Sequence, residues 1–481
     1  MTRRAITSGM HCYTSGQSFF RSISVSHPAF SSLPLSPAMQ SNLAAIGYSE
    51  MTPIQAASLP MILKGRDLIA RAKTGSGKTA AFGIGLLHPL NPRYFGCQAL
   101  VLCPTRELAD QVAKELRRLA RAADNIKILT LCGGVPFGPQ VGSLEHGAHV
   151  IVGTPGRVQE HLRKGTLKVD GLNTLVLDEA DRMLDMGFVD SISEIIGQTP
   201  ERRQTLLFSA TYPAGIAQLA ARFLRNPEHV EVEALHNDSQ IEQRFYEIAA
   251  AQRLQAVATL LRHFRKQPAL AFCATRQQCD ELAARLEAEK ISAAALHGDL
   301  EQRERDQILA LFANRSLSVL VATDVAARGL DIAGLELVIN VELSRDAEVH
   351  IHRIGRSGRA GEKGLALSLV APAEAARAQA IEVLQGQPPA WYPLPADRTG
   401  EALLPPMHTL CIGAGRKEKL RPGDILGALT GEAGIAGDQV GKITLFDHQA
   451  YVAVQRDVAR KALQRLGEGK IKGRALRVRL V

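Results

Sequence analysis

Eight residues constrain this chain more than any others: Ala72-Lys73-Thr74-Gly75-Ser76-Gly77-Lys78-Thr79, preceded by Asp67-Leu68-Ile69-Ala70 and followed by a helical stretch from Ala80 to Leu87. A strand that breaks into a glycine turn and re-enters as a helix is half of a parallel βαβ unit. Its turn leaves backbone N–H groups free to surround phosphate oxygens. Lys78 adds a point charge for the β- and γ-phosphates, and the Thr79 hydroxyl can ligate Mg²⁺. The strict pattern opens on Gly where this chain has Ala72, so the reading rests on its context, including an acidic partner a hundred residues on. There Leu175-Val176-Leu177 runs into Asp178-Glu179-Ala180-Asp181. Asp178, at the carboxyl end of a buried strand, is placed to hold the metal from the other side. Glu179 is placed to orient an attacking water, because phosphoryl transfer needs positioning and charge stabilisation more than covalent chemistry. These residues imply hydrolysis of a nucleoside triphosphate with Mg²⁺.

The same alternation continues on both sides of the loop. Apolar runs at 99–103, 126–129, 149–152, 175–177 and 205–208 are divided by helical stretches, which predicts a mostly parallel sheet covered on both faces. The pattern restarts at 245–248, 269–272, 293–296, 319–322, 337–339 and 365–370, so a second α/β domain is expected, joined to the first near residues 232–242. Residues 386–406 carry six prolines and the only tryptophan, Trp391, and read as a semi-rigid linker with Trp391 packing it against a neighbour. Beyond it, strand, helix, two strands, helix and strand follow in the βαββαβ order of RNA-recognition domains.

Charge is uneven along the chain. Residues 407–481 hold 14 Lys and Arg against 7 Asp and Glu, and residues 1–29 hold three Arg and no acid, while the body between is nearly neutral. A basic terminal module on a neutral body suggests a polyanion-binding appendage. Seven cysteines with no C-x-x-C pair or zinc-spaced cluster argue for reduced thiols, and no run approaches the ~18 to 20 apolar residues of a membrane span, so a soluble, cytoplasmic chain without membrane association is expected. Residues 1–29 are read as a disordered or extra extension, with a targeting segment as the other reading. His350 and His352 have no third ligand nearby to make a metal pair.

Taken in order, the motifs resemble those of the DEAD-box RNA helicases of superfamily 2, from about residue 30 to 372. Upstream, Gly47-Tyr48 and Thr52-Pro53-Ile54-Gln55 are similar to the family's Q motif. The resemblance implies that ATP is the nucleotide, with Gln55 reading the adenine edge, Phe30 stacking on the base and residues 72–79 cradling the phosphates. Pro104-Thr105-Arg106-Glu107-Leu108, Gly133-Gly134 and Thr154-Pro155-Gly156-Arg157 match its first-domain RNA contacts, which implies Thr105, Arg106, Gly134, Thr154 and Arg157 on a sugar–phosphate backbone. Ser209-Ala210-Thr211 resembles the element coupling the two sites, with Asp181 and His352 as further coupling residues. In the second domain the stretches 323–331 and 352–359 imply Thr323 and Asp324 at RNA, Asp331 at the nucleotide, and Arg356 and Arg359 as arginine fingers. Gln302 and Arg305 resemble a further RNA-contacting helix.

The resemblance therefore implies two tandem RecA-like α/β domains, at 30–235 and 240–385, then the linker and a small α+β domain of RNA-recognition type at 407–481. The last domain is similar to the ribosomal-RNA-binding tail of one bacterial branch of the family. That implies an ATP-dependent RNA helicase acting on a 23S rRNA hairpin in pre-50S particles, probed by a chain expected to be monomeric. Cys411 stands where an aromatic normally stacks, and only Tyr451 fills a stacking position, which leaves Lys470, Lys472, Arg474, Arg477 and Arg479 as leading tail contacts. An ATP-gated RNA clamp that remodels without separating strands would use the same residues, and a DNA helicase is a third reading.

Overall fold

The computed structural model describes residues 28–72, 75–232, 241–327, 334–358, 363–398, 400–431 and 434–481. It forms two compact units, Met1–Ala234 and Leu235–Val481.

Among the described residues, the first unit holds seven parallel strands: β1 (Leu68–Arg71), β2 (Ala99–Leu102), β3 (Ile128–Leu131), β4 (Val150–Gly153), β5 (Thr174–Leu177), β6 (Gln204–Ser209) and β7 (Glu228–Glu231), in the order β3-β4-β2-β5-β6-β1-β7. Strands β2, β4, β5 and β6 are buried along their whole length, as runs without polar alternation require when helices cover both faces. One apolar cluster fills one face, around Phe82, Val112, Val176 and Phe208, and a second fills the other, around Ile151, Met183, Ile195 and Ile216. Strand β7 was not expected from the sequence. Its Glu-His-Val-Glu buries only Val230, because an edge strand has one protected side.

The second unit begins with β8 (Ile241–Glu247), β9 (Ala269–Cys273), β10 (Ala293–Leu296), β11 (Val319–Thr323), β12 (Leu337–Asn340) and β13 (Gly364–Val370), all parallel in the order β10-β11-β9-β12-β13-β8. The proline-rich segment is strapped to this sheet. Phe245 donates its N–H to Ala390 and accepts from Tyr392 at 2.9 Å each, and the Trp391 ring lies 5.7 Å from that of Phe245. Further on, Leu403 pairs beside Ile291 and enters the core, and the buried Arg262 holds the strap through Glu401 O and Asp397.

The tail is antiparallel: β14 (Met407–Ile412), β15 (Val440–Leu445), β16 (Ala450–Gln455) and β17 (Val478–Leu480), ordered β15-β16-β14-β17. Helices Pro422–Thr430 and Ala459–Glu468 cover one face of the sheet, with Ile425 and Ala462 in one core with Leu410 and Val452.

Candidate nucleotide and RNA sites

Strand order sorts the motifs of the first unit before any side chain is considered. Loops at carboxyl ends of parallel strands gather on one edge, where ligands bind. The glycine turn leaves β1 and Asp178 follows β5, with β6 and its Ser209-Ala210-Thr211 between them. The turns after β2, β4 and β3 occupy the other half of that edge.

In the nucleotide half, Lys78 opens the helix Lys78–Leu87, is only 6% exposed, and its Nζ is buried without a hydrogen-bond partner, as is Ser76 Oγ. A buried amine with no acceptor is costly unless a ligand supplies one. Asp178 is likewise buried. Burial raises its pKa, Lys78 lowers it and Glu179 raises it, for a value of about 6, and its Oδ1 accepts from Glu179 N at 3.0 Å. Glu179 has φ +50°, an unfavourable value for a side-chain-bearing residue, and so turns sharply into the helix Ala180–Asp185. Orphaned donors beside a glycine turn fit phosphate oxygens. A buried carboxylate held from full ionisation by desolvation fits a cation, with Asp178 and the half-buried Thr79 as the residues to hold it. Ala72 is buried and pairs with Ser209 O, and Gly75 is exposed. Lys73 and Thr74 lie outside the described residues.

Two side chains expected at the nucleotide, Gln55 and Phe30, are engaged within the fold. Gln55 is 1% exposed, and both ends of its amide are used within the fold: Oε1 accepts from Thr52 N at 2.9 Å, and Nε2 donates to Gly77 O at 3.1 Å. Thr52 Oγ1 donates to Ser76 O at 2.8 Å. The Q motif here clamps the phosphate loop. The clamp needs glycine, since Gly77 has φ +95° and a Cβ there would lie 2.5 Å from Gln55 Nε2. Phe30 is 3% exposed and packs edge-on to Tyr48 among Leu33, Met39 and Leu43, so its ring is core and offers no open face to a base.

Asp181 joins the turns after β5 and β6. Its Oδ2 accepts from both Thr211 N and Thr211 Oγ1 at 3.0 Å, and its N–H donates to Ser209 Oγ at 3.3 Å. Burial opposes its ionisation, but Arg182 and the Thr211 donors outweigh it and hold its pKa below the usual carboxylate range. Asp181, Ser209 and Thr211 thus form one hydrogen-bonded group.

On the other half of the edge, Thr105, Gly134 and Thr154, the residues expected at RNA, lie where β2, β3 and β4 give way to loops. Gly134 is exposed with φ +73°, and the Thr105 hydroxyl caps the helix Arg106–Leu119. Arg106 starts that helix, 3.8 Å from Asp110. Space is open beside Gly133 and Gly156, so a phosphate backbone can approach the main chain there. Arg157 departs from the expectation. Its side chain is 12% exposed, donates to Val135 O through both terminal nitrogens at 3.1 Å, and pairs with Glu160 at 3.0 Å. It ties two loops together because a fork of donors satisfies a turn carbonyl better than solvent does.

In the second unit Asp324 is also engaged: its carboxylate receives Arg353 Nε and Nη2 at 2.7 and 2.8 Å. Arg353, part of the 352–359 motif but given no role of its own from the sequence, is 3% exposed, donates to Asn340 Oδ1 and Glu342 O, and stacks over Phe272. Asp324 is therefore a strut between the turn after β11 and the helix Ala347–Ile354. Thr323, His352 and Arg356 are half-buried at the same edge. Asp331 and Arg359 lie outside the described residues. Among the described residues, no group of three His, Cys, Asp or Glu could hold a metal ion, and no helix is long and apolar enough to cross a membrane.

On the tail, the sheet face opposite its helices is closed. Cys411 and Tyr451 are 3% and 2% exposed and pack against Ala310 of the helix Gln302–Ala313. Tyr451 OH donates to Gln307 at 3.2 Å, and Asn314 donates to Thr409 at 2.8 Å. Lys470, Lys472, Arg474 and Arg477 are instead exposed along an edge. That edge runs on through the 413–421 loop, joined by Gly413 N to Arg477 O and Lys472 Nζ to Lys419 O at 2.8 Å, so Arg416, Lys417 and Lys419 belong to it. The sequence reading missed these three, although the R-K-E-K run was visible.

Comparison with known proteins agrees with this layout. The profile of the DEAD/DEAH box helicases matches residues 52–219, that of the helicase conserved C-terminal domain residues 252–361, and that of the DbpA RNA binding domain residues 409–480. The chain is 54% identical to the ATP-dependent RNA helicase DbpA of Escherichia coli K12 over 454 residues, covering 94% of this chain and 99% of that protein. It is 43% identical to the DEAD-box ATP-dependent RNA helicase CshA of Bacillus subtilis over 354 residues, 73% of this chain and 72% of that one. Among solved structures, Saccharomyces cerevisiae Dbp5 bound to RNA and ADP BeF3 matches with a TM-score of 0.70 and 31% identity, over 76% of this chain and 96% of that one.

Proposed function

The chain belongs to the DEAD-box RNA helicases that carry a DbpA RNA-binding domain, ATP-dependent enzymes that act on RNA, and from that premise we propose that its tail directs ATP-driven disruption of short RNA duplexes to a hairpin of 23S rRNA in pre-50S particles. The observation that carries the reading is the tail's geometry: its sheet face is closed while one continuous edge presents Arg416, Lys417, Lys419, Lys470, Lys472, Arg474 and Arg477 to solvent. Such an edge favours the phosphates of a folded RNA over stacking on splayed bases. The protein works in the cytoplasm as a single chain.

Chemistry in this reading belongs to the first unit. Lys78 and the loop N–H groups hold the triphosphate, and Glu179, fixed by its strained backbone, orients the water. Asp178 and Thr79 hold Mg²⁺, which when bound neutralises charge on the phosphate oxygens. Arg356 and Arg359 come from the other helicase domain, so turnover requires that domain to close, and loss of the γ-phosphate releases it. Asp181 passes the state of the nucleotide to Thr211 through their two hydrogen bonds. Glu179→Gln keeps the shape and removes the charge. It is expected to lower ATP turnover at least a hundredfold while ATP still promotes RNA binding; undiminished turnover refutes the role given to Glu179.

A further inference from the structure

We propose that His161 is a positioning residue for the RNA grip of the first helicase domain: through Gln140 it locks Arg157 and, with it, the spacing between the loops 133–135 and 154–157. This inference rests on the reading of those loops as RNA contacts.

His161 lies one helical turn beyond Arg157 on Pro155–Arg163 and is fully buried. Both residues meet on one atom. Gln140 Oε1 accepts from Arg157 Nη1 at 3.1 Å and faces His161 Nε2 at 2.9 Å, while Gln140 Nε2 donates to Cys132 O at 2.9 Å. These contacts fix the amide's orientation. Arginine has no acceptor, so oxygen must face it, and His161 must then donate from Nε2. In the neutral ring Nδ1 is left as an acceptor; the Thr166 hydroxyl stands 2.8 Å from it and 3.1 Å from His161 O, so its one hydrogen is shared between these two acceptors. Burial, then Arg157, and to a lesser degree Lys164, hold the imidazole pKa down to about 4 against the opposing pull of Glu160, which keeps this neutral tautomer in place.

The node has three arms. Cys132 immediately precedes Gly133-Gly134, Arg157 closes the 154–157 turn, and the Arg157 fork returns to Val135 O. Phe137 stacks on the His161 ring at 4.2 Å with planes 18° apart, so the ring's orientation is fixed by packing as well as by hydrogen bonds. The half-exposed main chain of both loops must meet successive phosphates of one strand at a set separation. Removing one donor from a buried node lets the two loops move independently without touching the nucleotide half of the edge.

The test is RNA-stimulated ATPase of the full chain against RNA concentration, with thermal unfolding run in parallel, for wild type, His161→Ala and His161→Gln. Glutamine can place an N–H where Nε2 was. His161→Ala is expected to raise the RNA concentration for half-maximal stimulation about tenfold, the effect of one buried hydrogen bond. Its kcat at saturating RNA should stay within twofold, since only uniform binding is lost. His161→Gln is expected to recover most of that loss. An unchanged RNA requirement in His161→Ala overturns the proposal. So does a glutamine variant as impaired as alanine, or a fall in kcat matching the change in RNA requirement, because either marks a merely structural residue. If wild type shows no stimulation by RNA, the functional reading beneath the proposal falls with it.

Discussion

Gln55→Glu separates two roles that the same side chain has been given. The substitution keeps Oε1 on Thr52 N, at 2.9 Å, and replaces the Nε2 donor to Gly77 O with a carboxylate oxygen. At 1% exposure no water can take the donor's place, so the Gly77 carbonyl is left facing a second acceptor. Leaving one buried group unsatisfied costs about 1–3 kcal/mol, or roughly 5- to 150-fold in binding if the phosphate loop is competent only when clamped. The assay is inhibition or direct binding measured with ATP and, separately, with inorganic tripolyphosphate, which has no base to read. Clamping predicts that both weaken by a similar factor. Loss of ATP affinity with tripolyphosphate binding unchanged would refute it and restore the adenine-edge role for Gln55.

Acid should weaken the fold through His350. It is fully buried and neither ring nitrogen has a hydrogen-bond partner, and burial followed by Arg353 depresses its pKa to about 4. The unfolded chain takes up a proton near 6.5 and the folded one does not until about 4, so this stability is present above pH 6.5 and is lost as pH falls toward 4. The drop corresponds to ~3 kcal/mol for this group alone. His350→Gln should flatten the pH dependence of thermal unfolding over that window, and an unaltered slope argues against it. Tyr451→Phe removes a hydroxyl from the closed sheet face, where it donates to Gln307. Its affinity for a ribosomal RNA hairpin should stay within twofold, and Tyr451→Ala should lower the unfolding temperature without the ~1–3 kcal/mol loss of RNA binding expected of a stacking aromatic; that loss, if found, reopens the sheet face as an RNA platform.

What the sequence disclosed follows from the range of the interactions involved. Buried parallel strands declare themselves as apolar runs, so β2, β4, β5, β9 and β11 lie within a residue or two of their expected places. Strand β3 begins at Ile128 and not Ile126, since Ile126-Lys127-Ile128-Leu129 offers several starts of equal apolarity and only pairing with β4 chooses among them. The polar edge strand β7 carries no such signal. In the site, Lys78, Gly77 and Asp178 were legible from spacing as residues just past the carboxyl ends of β1 and β5. Gln55, Arg157, Asp324 and Tyr451 were not, because their partners lie 22, 22, 29 and 144 residues away and are fixed only by tertiary packing. A motif names the residue types at a turn, but whether an arginine there faces a ligand or a neighbouring carbonyl depends on what the fold brings beside it.

The measurement that bears most directly on a tail-guided RNA helicase is steady-state ATPase of the full chain and of a 1–406 truncation, with 23S rRNA, unrelated RNA of equal length and no RNA. The account predicts that ribosomal RNA stimulates the full chain at far lower concentration than unrelated RNA, and that the truncation responds to both alike. Equal stimulation of the full chain by every RNA, with or without the tail, would contradict it.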